Sequence, residues 1–230
     1  GQASAPLALS PNGFLAASWS ADEAVRLWLV STGGLMKDLA DAGAQPLCLA
    51  FSPQGDMLAA GMYSSERCTL AVWDTVSGKR KVLWGNKKHY ETSAVAFSPD
   101  GSRLASGGGG NDSGVLRLWE AAAGLRVWSV ADNWEGSAVH GLAFSPDGRF
   151  LLVGRWGGPG DIESQLELRS SADGRMLWSL PGAYRSVAVT PDGRFAAACD
   201  GEEGPLSLVD LATGKPIGHF LVLATAKARL

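Results

Sequence analysis

The sequence predicts an all-β fold made of five repeated units, each with four short antiparallel strands. A proline-containing tight-turn sequence recurs five times at nearly even intervals, and strand-length apolar segments flank every copy. A glycine then follows the third segment of each unit at a constant offset. Segments with helical periodicity are absent, so the repeated hairpins account for the chain without any helix.

The recurring turn has the form Ser/Thr-Pro-x-Gly, in which proline presets φ and glycine can adopt positive φ. Its five copies are Ser10–Gly13, Ser52–Gly55, Ser98–Gly101, Ser145–Gly148 and Thr190–Gly193. The prolines are 42, 46, 47 and 45 residues apart. An alanine stands three residues before each proline between mostly apolar neighbours, which predicts a strand buried on both faces with one crowded position.

A second apolar segment follows each turn, and a third one alternates between apolar and polar residues, as in Leu116–Trp119. Five residues beyond the third segment stands a glycine, which indicates a hairpin of constant length. These glycines are Gly33, Gly78, Gly124, Gly174 and Gly214. With a fourth segment after each glycine, the units are expected to cover approximately 6–39, 46–84, 93–130, 139–180 and 184–221 of one domain, 1–230.

The third unit contains the segments Ala94–Gly101, Leu104–Gly107 and Leu116–Glu120, and the second unit contains the dipeptide Trp73-Asp74. These segments resemble blades of the WD-repeat β-propeller family, which takes its name from that dipeptide. The resemblance extends over nearly the whole chain and implies blades that run outward from an inner strand a through b and c to strand d. It also implies a non-catalytic scaffold for protein–protein interaction.

The sequence departs from this family at several positions. Arg169-Ser170 and Val209-Asp210 stand where the family has Trp-Asp, and the Gly-His pair that usually precedes each blade is missing. In the family, that histidine joins a hydrogen-bonded set with the tryptophan, a hydroxyl residue and an aspartate. We therefore expect such networks to be largely absent, so that apolar packing provides most of the rigidity of the blades.

Five units leave no extra strand that could join the last blade to the first. WD-repeat propellers usually have seven blades, which would need about 300 residues. Three arrangements stay open: the chain is part of a larger propeller, it closes as a five-bladed ring, or its terminal blades pair with another chain. Open terminal blades would expose apolar faces and would favour self-association.

Composition and charge exclude several partners. The formal net charge of −3 provides no long-range attraction for nucleic acid or anionic lipid. No apolar run approaches the roughly 20 residues that a membrane helix needs, so no membrane is expected. Cys48, Cys68 and Cys199 have no ligand-like spacing, and this sparse, odd number is typical of free thiols in a reducing compartment such as the cytoplasm.

No motif in the sequence predicts catalysis, a metal site or a cofactor. His89, His140 and His219 fall in different repeats, so no zinc-binding pattern can be written. The run Gly107–Gly110 lacks the Lys-Ser/Thr ending of a phosphate-binding loop, and no serine occupies a nucleophile elbow. We therefore expect no enzymatic activity, no metal and no cofactor.

The connections between strands sort into two faces. The a–b and c–d turns are short and consist of small turn residues, so their face, here called the bottom, offers little for binding. The longer d–a and b–c connections form the top face and carry the tyrosine, tryptophan and arginine residues that dominate binding hot spots. The candidate partner-binding residues are Trp19, Tyr63, Arg67, Tyr90, Trp134, His140, Arg155, Trp156, Tyr184 and Arg185.

The expected partner of the top face is another protein or a neighbouring domain of the same protein. The alternative is a five-bladed propeller that binds a small molecule or carbohydrate by aromatic stacking. A repeated sugar site would place equivalent aromatic residues in every blade, whereas Trp19, Trp134 and Trp156 lack a regular phase. The sequence therefore favours the protein-binding interpretation.

Overall fold

The structure, a computed structural model, contains β-strands as its only regular elements wherever it describes the chain. It describes residues 6–20, 24–39, 45–63, 68–85, 91–109, 114–130, 138–157, 164–199 and 205–220. Twenty strands form five four-stranded sheets, and each strand pairs antiparallel with its neighbour in the chain. The predicted all-β fold with four-stranded blades is confirmed.

Each blade consists of four consecutive strands in the order a, b, c and d. The first two blades contain β1 (Leu7–Leu9), β2 (Leu15–Trp19), β3 (Val25–Leu29), β4 (Leu35–Leu39), β5 (Gln45–Phe51), β6 (Met57–Tyr63), β7 (Cys68–Asp74) and β8 (Arg80–Gly85). The third and fourth contain β9 (Ala94–Phe97), β10 (Arg103–Gly108), β11 (Val115–Glu120), β12 (Arg126–Val130), β13 (Ala138–Phe144), β14 (Phe150–Trp156), β15 (Gln165–Ser170) and β16 (Met176–Pro181). The fifth contains β17 (Ser186–Val189), β18 (Phe195–Cys199), β19 (Leu206–Asp210) and β20 (Pro216–Phe220).

The Ser-Pro-Asp-Gly sequence of the third blade shows how the a–b turns form. Gly101 adopts a φ of 74° and donates its backbone N–H to the carbonyl oxygen of Ser98 at 2.9 Å. The hydroxyl of Ser98 accepts a hydrogen bond from the N–H of Arg103 at 2.9 Å and donates to Asp100 Oδ1 at 2.5 Å. Local hydrogen bonds of this kind recur in all five blades, which explains the repeated turn sequence.

The register of the c and d strands shifts by one residue just before the c–d turn in every blade. In the third blade this bulge lies between Leu118 and Trp119, and the turn closes with the N–H of Gly124 donating to the carbonyl of Glu120 at 2.8 Å. Gly124 has a φ of 72°, a conformation that favours glycine. The constant glycine offset seen in the sequence is thus the signature of a repeated bulged hairpin.

Four apolar clusters fill the contacts between consecutive blades. The cluster between the first and second blades joins Leu27 to Trp73, and the next one joins Val72 to Trp119. Trp73 and Trp119 are 0% and 7% exposed, so both tryptophans are buried between blades. Blade-to-blade packing is therefore the main source of cohesion.

A remnant of the hydrogen-bonded set of the family persists in two blades. The indole N–H of Trp28 donates to Ser18 Oγ at 2.9 Å, and that of Trp119 donates to Ser106 Oγ at 2.8 Å. The second blade has Ala60 at the serine position, and within the described part of the chain the indole N–H of Trp73 has no hydrogen-bond acceptor.

The described residues of the first and fifth blades share no apolar cluster. Leu7 and Leu9, on the outer face of the first blade, are 68% and 64% exposed. Five blades thus share four interfaces, and one face of each terminal blade lies outside them.

Candidate protein-interaction face

The top face brings three of the predicted residues together where the fourth and fifth blades meet. Trp156 ends β14, His140 lies within β13, and Arg185 immediately precedes β17. The guanidinium carbon of Arg185 lies 3.6 Å from the centroid of the Trp156 ring. The ring of His140 meets the same indole nearly edge-on, with centroids 5.8 Å apart and an interplanar angle of 72°. We call these three residues the Trp156 cluster.

Local backbone features place the members of this cluster. The β13–β14 register shifts between Val139 and Gly141, so His140 is the extra residue of a bulge. A Cβ atom at Gly154 would lie 2.7 Å from the carbonyl oxygen of Tyr184. Glycine at this position therefore lets the d–a segment cross close to β14, where the N–H of Tyr184 donates to the carbonyl of Arg155 at 3.2 Å. That crossing delivers Arg185 onto the indole.

The electrostatics of the Trp156 cluster follow from this geometry. All three side chains are half-buried. Burial, followed by the positive charge of Arg185, holds the pKa of His140 below its usual value, so the imidazole is neutral at neutral pH. A guanidinium stacked on an indole gains about 0.5–2 kcal/mol and loses much of its conformational freedom before a partner arrives. The cluster thus presents a fixed cation and aromatic surface together.

Tyr184 belongs to the core and not to the accessible surface. It is buried in the apolar cluster between the fourth and fifth blades. Burial raises the pKa of its phenol, although a hydrogen bond with Ser207 acts in the opposite direction. Its contribution to the top face is therefore to fix the segment that carries Arg185.

Arg155 is likewise internal, because it takes part in a buried charged triad of the fourth blade. Its Nη1 atom lies 2.8 Å from Glu167 Oε1, and Nε of Arg169 lies 2.5 Å from Glu167 Oε2. Arg169 also donates to the carbonyl oxygen of Gly174 at 3.0 Å. Since Arg169 occupies the position that tryptophan holds in the second and third blades, the triad fills space that an indole fills there.

Two of the remaining predicted residues, Trp19 and Tyr63, lie in the first and second blades. Trp19, at the end of β2, is half-buried against the cluster between the first two blades. Tyr63 ends β6 with 58% of its surface exposed, and its backbone forms a bridge with Glu91. Three further candidates, Arg67, Tyr90 and Trp134, lie outside the described residues.

The bottom face contains two cavities that the sequence did not predict. One, of about 610 Å³, lies between the turns of the third and fourth blades and is lined largely by polar groups, among them Asp100, Arg103 and Asp147. The other, of about 360 Å³, lies between the fourth and fifth blades and includes Phe150 and Leu168 in an apolar lining. The bottom turns are therefore less plain than their small residues suggest.

A signal for these cavities exists in the d strands. Trp128 and Trp178 each donate the indole N–H to a carbonyl oxygen in the c–d region of the next blade, Ser171 and Leu211 respectively, both at 2.9 Å. Residues of the blade interfaces, including Trp178 and Leu211, line the smaller cavity. A tryptophan at the same place in successive d strands could have indicated that these interfaces open at the bottom.

Two features are absent from the described residues. Among the side chains that the structure describes, no group of three or more His, Cys, Asp or Glu residues is arranged to hold a metal ion. The same part of the chain contains no helix long and apolar enough to cross a lipid bilayer.

Comparison with known proteins gives one family match. The family described as WD domain, G-beta repeat, matches residues 41–74, 81–120 and 125–158. The match at 81–120 begins in the d strand β8 of the second blade and ends with the c strand β11 of the third. The sequence repeat is therefore offset by one strand from the structural blade. No curated protein matches this chain.

Stacked four-stranded blades with recurrent a–b turns and interblade tryptophans define a repeat protein of propeller-like architecture. The three matched repeats and the five four-stranded sheets are consistent with a WD-repeat β-propeller. Members of this family generally act as non-catalytic scaffolds that bring proteins together. The fold alone does not identify what any one member binds.

Proposed function

We propose that this chain is a non-catalytic interaction scaffold that captures a protein partner on its top face. The observation that carries the proposal is the Trp156 cluster, in which an arginine is stacked on a half-buried tryptophan beside a histidine. Tryptophan and arginine are the residue types most enriched in binding hot spots, and fixing them in advance lowers the entropic cost of binding. Tyr63 extends the same face with an exposed aromatic side chain.

Several observations favour binding over catalysis. His140 has a lowered pKa, but its described neighbours are an indole and a guanidinium, and neither can serve as a nucleophile for it. The buried carboxylate of Glu167 is held between Arg155 and Arg169, away from the surface. These charged groups therefore have structural partners, which is the pattern expected of a scaffold.

To test this proposal, protein partners are captured on the immobilised wild-type chain and cross-linked to it. The affinity of the chain for each purified partner is then measured. Trp156→Ala and Arg185→Ala should each weaken binding by at least about thirtyfold, the loss of about 2 kcal/mol that defines a hot spot. Lys79→Ala, an exposed change in a bottom turn, is the matched control and should bind like wild type.

Two outcomes would redirect the assignment. Loss of binding in Lys79→Ala with retention in both top-face variants would move the site to the bottom face. A glycan-array signal that disappears in Trp156→Ala, with no protein captured, would replace the scaffold with the carbohydrate-binding alternative. Circular dichroism of every variant ensures that altered binding does not reflect unfolding.

We also propose a cytoplasmic location, supported by the state of the described thiols. Cys48 and Cys199 are both free, and burial raises the pKa of the Cys48 thiol to about 12. Such a thiol is unreactive and suits a compartment in which disulfides do not form. Localisation of the tagged chain in cells by microscopy and fractionation tests this proposal.

A further inference from the structure

The smaller cavity of the bottom face, here called the Trp178 niche, is an apolar space between the fourth and fifth blades. Its buried lining residues, Leu168 and Leu211, are 3% and 4% exposed and belong to the apolar cluster of this interface. Phe150 and Trp178 are half-buried and Leu177 is 40% exposed, so apolar surface extends from the interface core to solvent. A volume of about 360 Å³ lies at the small end of the range for ligand sites, ~300–1,000 Å³, and suits a single large side chain.

The aromatic wall of the niche is held in place by the fifth blade. The indole N–H of Trp178 donates to the carbonyl oxygen of Leu211 at 2.9 Å. A Cβ atom at Gly214 would lie 2.7 Å from Cδ2 of the indole, so glycine at this position lets the ring lie directly on the c–d turn. A wall that is fixed in advance lowers the entropic cost of binding.

The larger cavity occupies the equivalent place between the third and fourth blades but is polar. The b–c registers show that Phe150 and Leu211 of the Trp178 niche correspond to Arg103 and Ser171 of the larger cavity. Asp147 lines both cavities, so they lie side by side on the bottom face. The apolar lining is therefore particular to one niche, and polar surface begins directly beside it.

Two carboxylates, Asp147 and Asp192, add negative charge to the lining of the Trp178 niche. The hydroxyls of Ser145 and Thr190 donate to Oδ1 of Asp147 and Asp192 respectively, both at 2.5 Å. These bonds hold the pKa of each carboxyl below its usual value, so both are ionised at neutral pH. Within the described part of the chain, the Oδ2 atom of each accepts no hydrogen bond and no cation lines the niche.

Two arginines follow these carboxylates in the chain but are directed elsewhere. The guanidinium carbon of Arg149 lies 5.4 Å from the centroid of the Phe150 ring, and that of Arg194 lies 5.1 Å from the centroid of Phe195. Both arginines are exposed, and neither lines the niche. The negative charge beside the apolar lining therefore remains available to a cation of a ligand.

We propose that the Trp178 niche is a second binding site, separate from the Trp156 cluster, for an extended protein segment with a large apolar side chain next to a lysine or arginine. The apolar side chain fills the niche against Phe150 and Trp178, and the cation lies against Asp147 or Asp192. Because Asp147 also lines the polar cavity, a chain that leaves the niche passes directly onto polar surface. This arrangement favours an extended segment as the occupant.

The test is an NMR titration of the ¹⁵N-labelled full chain with a capped pentapeptide of sequence Gly-Ser-Leu-Lys-Gly. The amide resonances of three lining residues, Leu177, Gly193 and Ala212, should shift and reach saturation. Two matched peptides replace the leucine with serine or the lysine with glutamate, and both should bind more weakly. Added salt should weaken binding of the lysine peptide, because it screens exposed charges.

Variants of the chain test the two components of the site separately. Ala212→Trp fills the niche from an exposed turn position and should abolish the shifts of the other lining amides. Ala122→Trp, at the equivalent exposed position of the third blade, is its control and should bind like wild type. Asp192→Asn keeps the oxygen that Thr190 needs and should weaken binding about two- to fivefold, the effect of one exposed ion pair. Asp56→Asn, in the a–b turn of the second blade, is the control for charge.

Four results would overturn this proposal. They are no saturable shift of the lining amides with any peptide, equal affinity for the leucine and serine peptides, equal affinity for the lysine and glutamate peptides, and an unchanged titration of Ala212→Trp. Shifts of the same amides on dilution of the chain alone would instead assign the niche to a second copy. Trp156→Ala should bind the peptide like wild type, so failure at the top face and failure at the Trp178 niche are distinguishable.

Discussion

At the scale of single residues, the tryptophan of the c strand links a blade to its neighbour. Trp119 packs between the second and third blades and donates its N–H to Ser106. We predict that Trp119→Ala lowers the free energy of unfolding by about 3–5 kcal/mol, the usual range for removing a large buried aromatic. Trp28→Ala is the matched control, because this half-buried residue on the open first blade should cost clearly less. Equal losses in urea denaturation would contradict the interblade role.

The buried triad of the fourth blade gives a second prediction at this scale. Glu167→Gln removes the buried carboxylate that pairs with both Arg155 and Arg169, so we expect a loss of about 3–5 kcal/mol in the free energy of unfolding. Asp38→Asn, which breaks the exposed ion pair with Arg26, should cost no more than about 1 kcal/mol. Chemical denaturation of both variants measures these losses. A smaller loss of unfolding free energy for Glu167→Gln than for Asp38→Asn would show that the triad is dispensable.

The triad also shows why the sequence could not assign every candidate. Arg155 was predicted on the top face because it stands near the end of a b strand, where the connection begins. Its side chain points inward, because Arg155 occupies the strand position that the buried Met62 holds in the second blade. Only the pairing of β14 with β15 brings Glu167 within reach, and cross-strand register is not visible in a single sequence.

At the scale of secondary-structure elements, the a–b turn makes the stability of the fold depend on pH. Hydrogen bonds from Ser98 and then Ser102 hold the pKa of Asp100 at about 2, and the pKa values of Asp147 and Asp192 are lowered in the same way. A carboxyl group whose pKa is lower in the folded than in the unfolded state stabilises the fold when the pH is above its unfolded-state pKa. That stabilisation is lost as the pH falls from near 3.8 through about 2.

We therefore predict that Asp100→Asn makes stability less dependent on pH in this acid range. Asparagine already serves in the first blade, where Asn12 Oδ1 accepts hydrogen bonds from Ser10 and from the N–H of Phe14, so the turn should remain intact. The free energy of unfolding, measured by urea titration at several acid pH values, should fall less steeply than in wild type. An unchanged slope would mean that Asp100 does not contribute to acid lability.

The strands themselves were largely predictable, and their irregularities were not. Turn prolines and the fixed glycines located all five hairpin pairs, because tight turns restrict φ and so restrict residue type. The bulge at His140 has no such marker, since an inserted residue interrupts the apolar alternation for only one position. The Trp156 cluster depends on this bulge and on the close approach at Gly154, so its assembly required the structure.

At the scale of the whole molecule, the described residues form five blades, and each apolar cluster joins two consecutive blades. Repeated turns in the sequence are enough to count these blades, because each repeat specifies its own hairpins. Closure depends instead on the angle between successive blades, which accumulates from small rotations that no local motif records. The sequence therefore left three arrangements open, and among the described residues no apolar cluster joins the first blade to the fifth.

The last prediction follows from the number of neighbours of each blade. The central blade packs on both sides, whereas the first and fifth blades pack on one, so local opening should need less free energy at the ends. At low protein concentration, amides of β3 and β19 should exchange with solvent faster than those of the equivalent strand β11, as measured by hydrogen–deuterium exchange mass spectrometry. Uniform protection of the three strands at all concentrations would contradict an open series and would favour a ring closed within one chain.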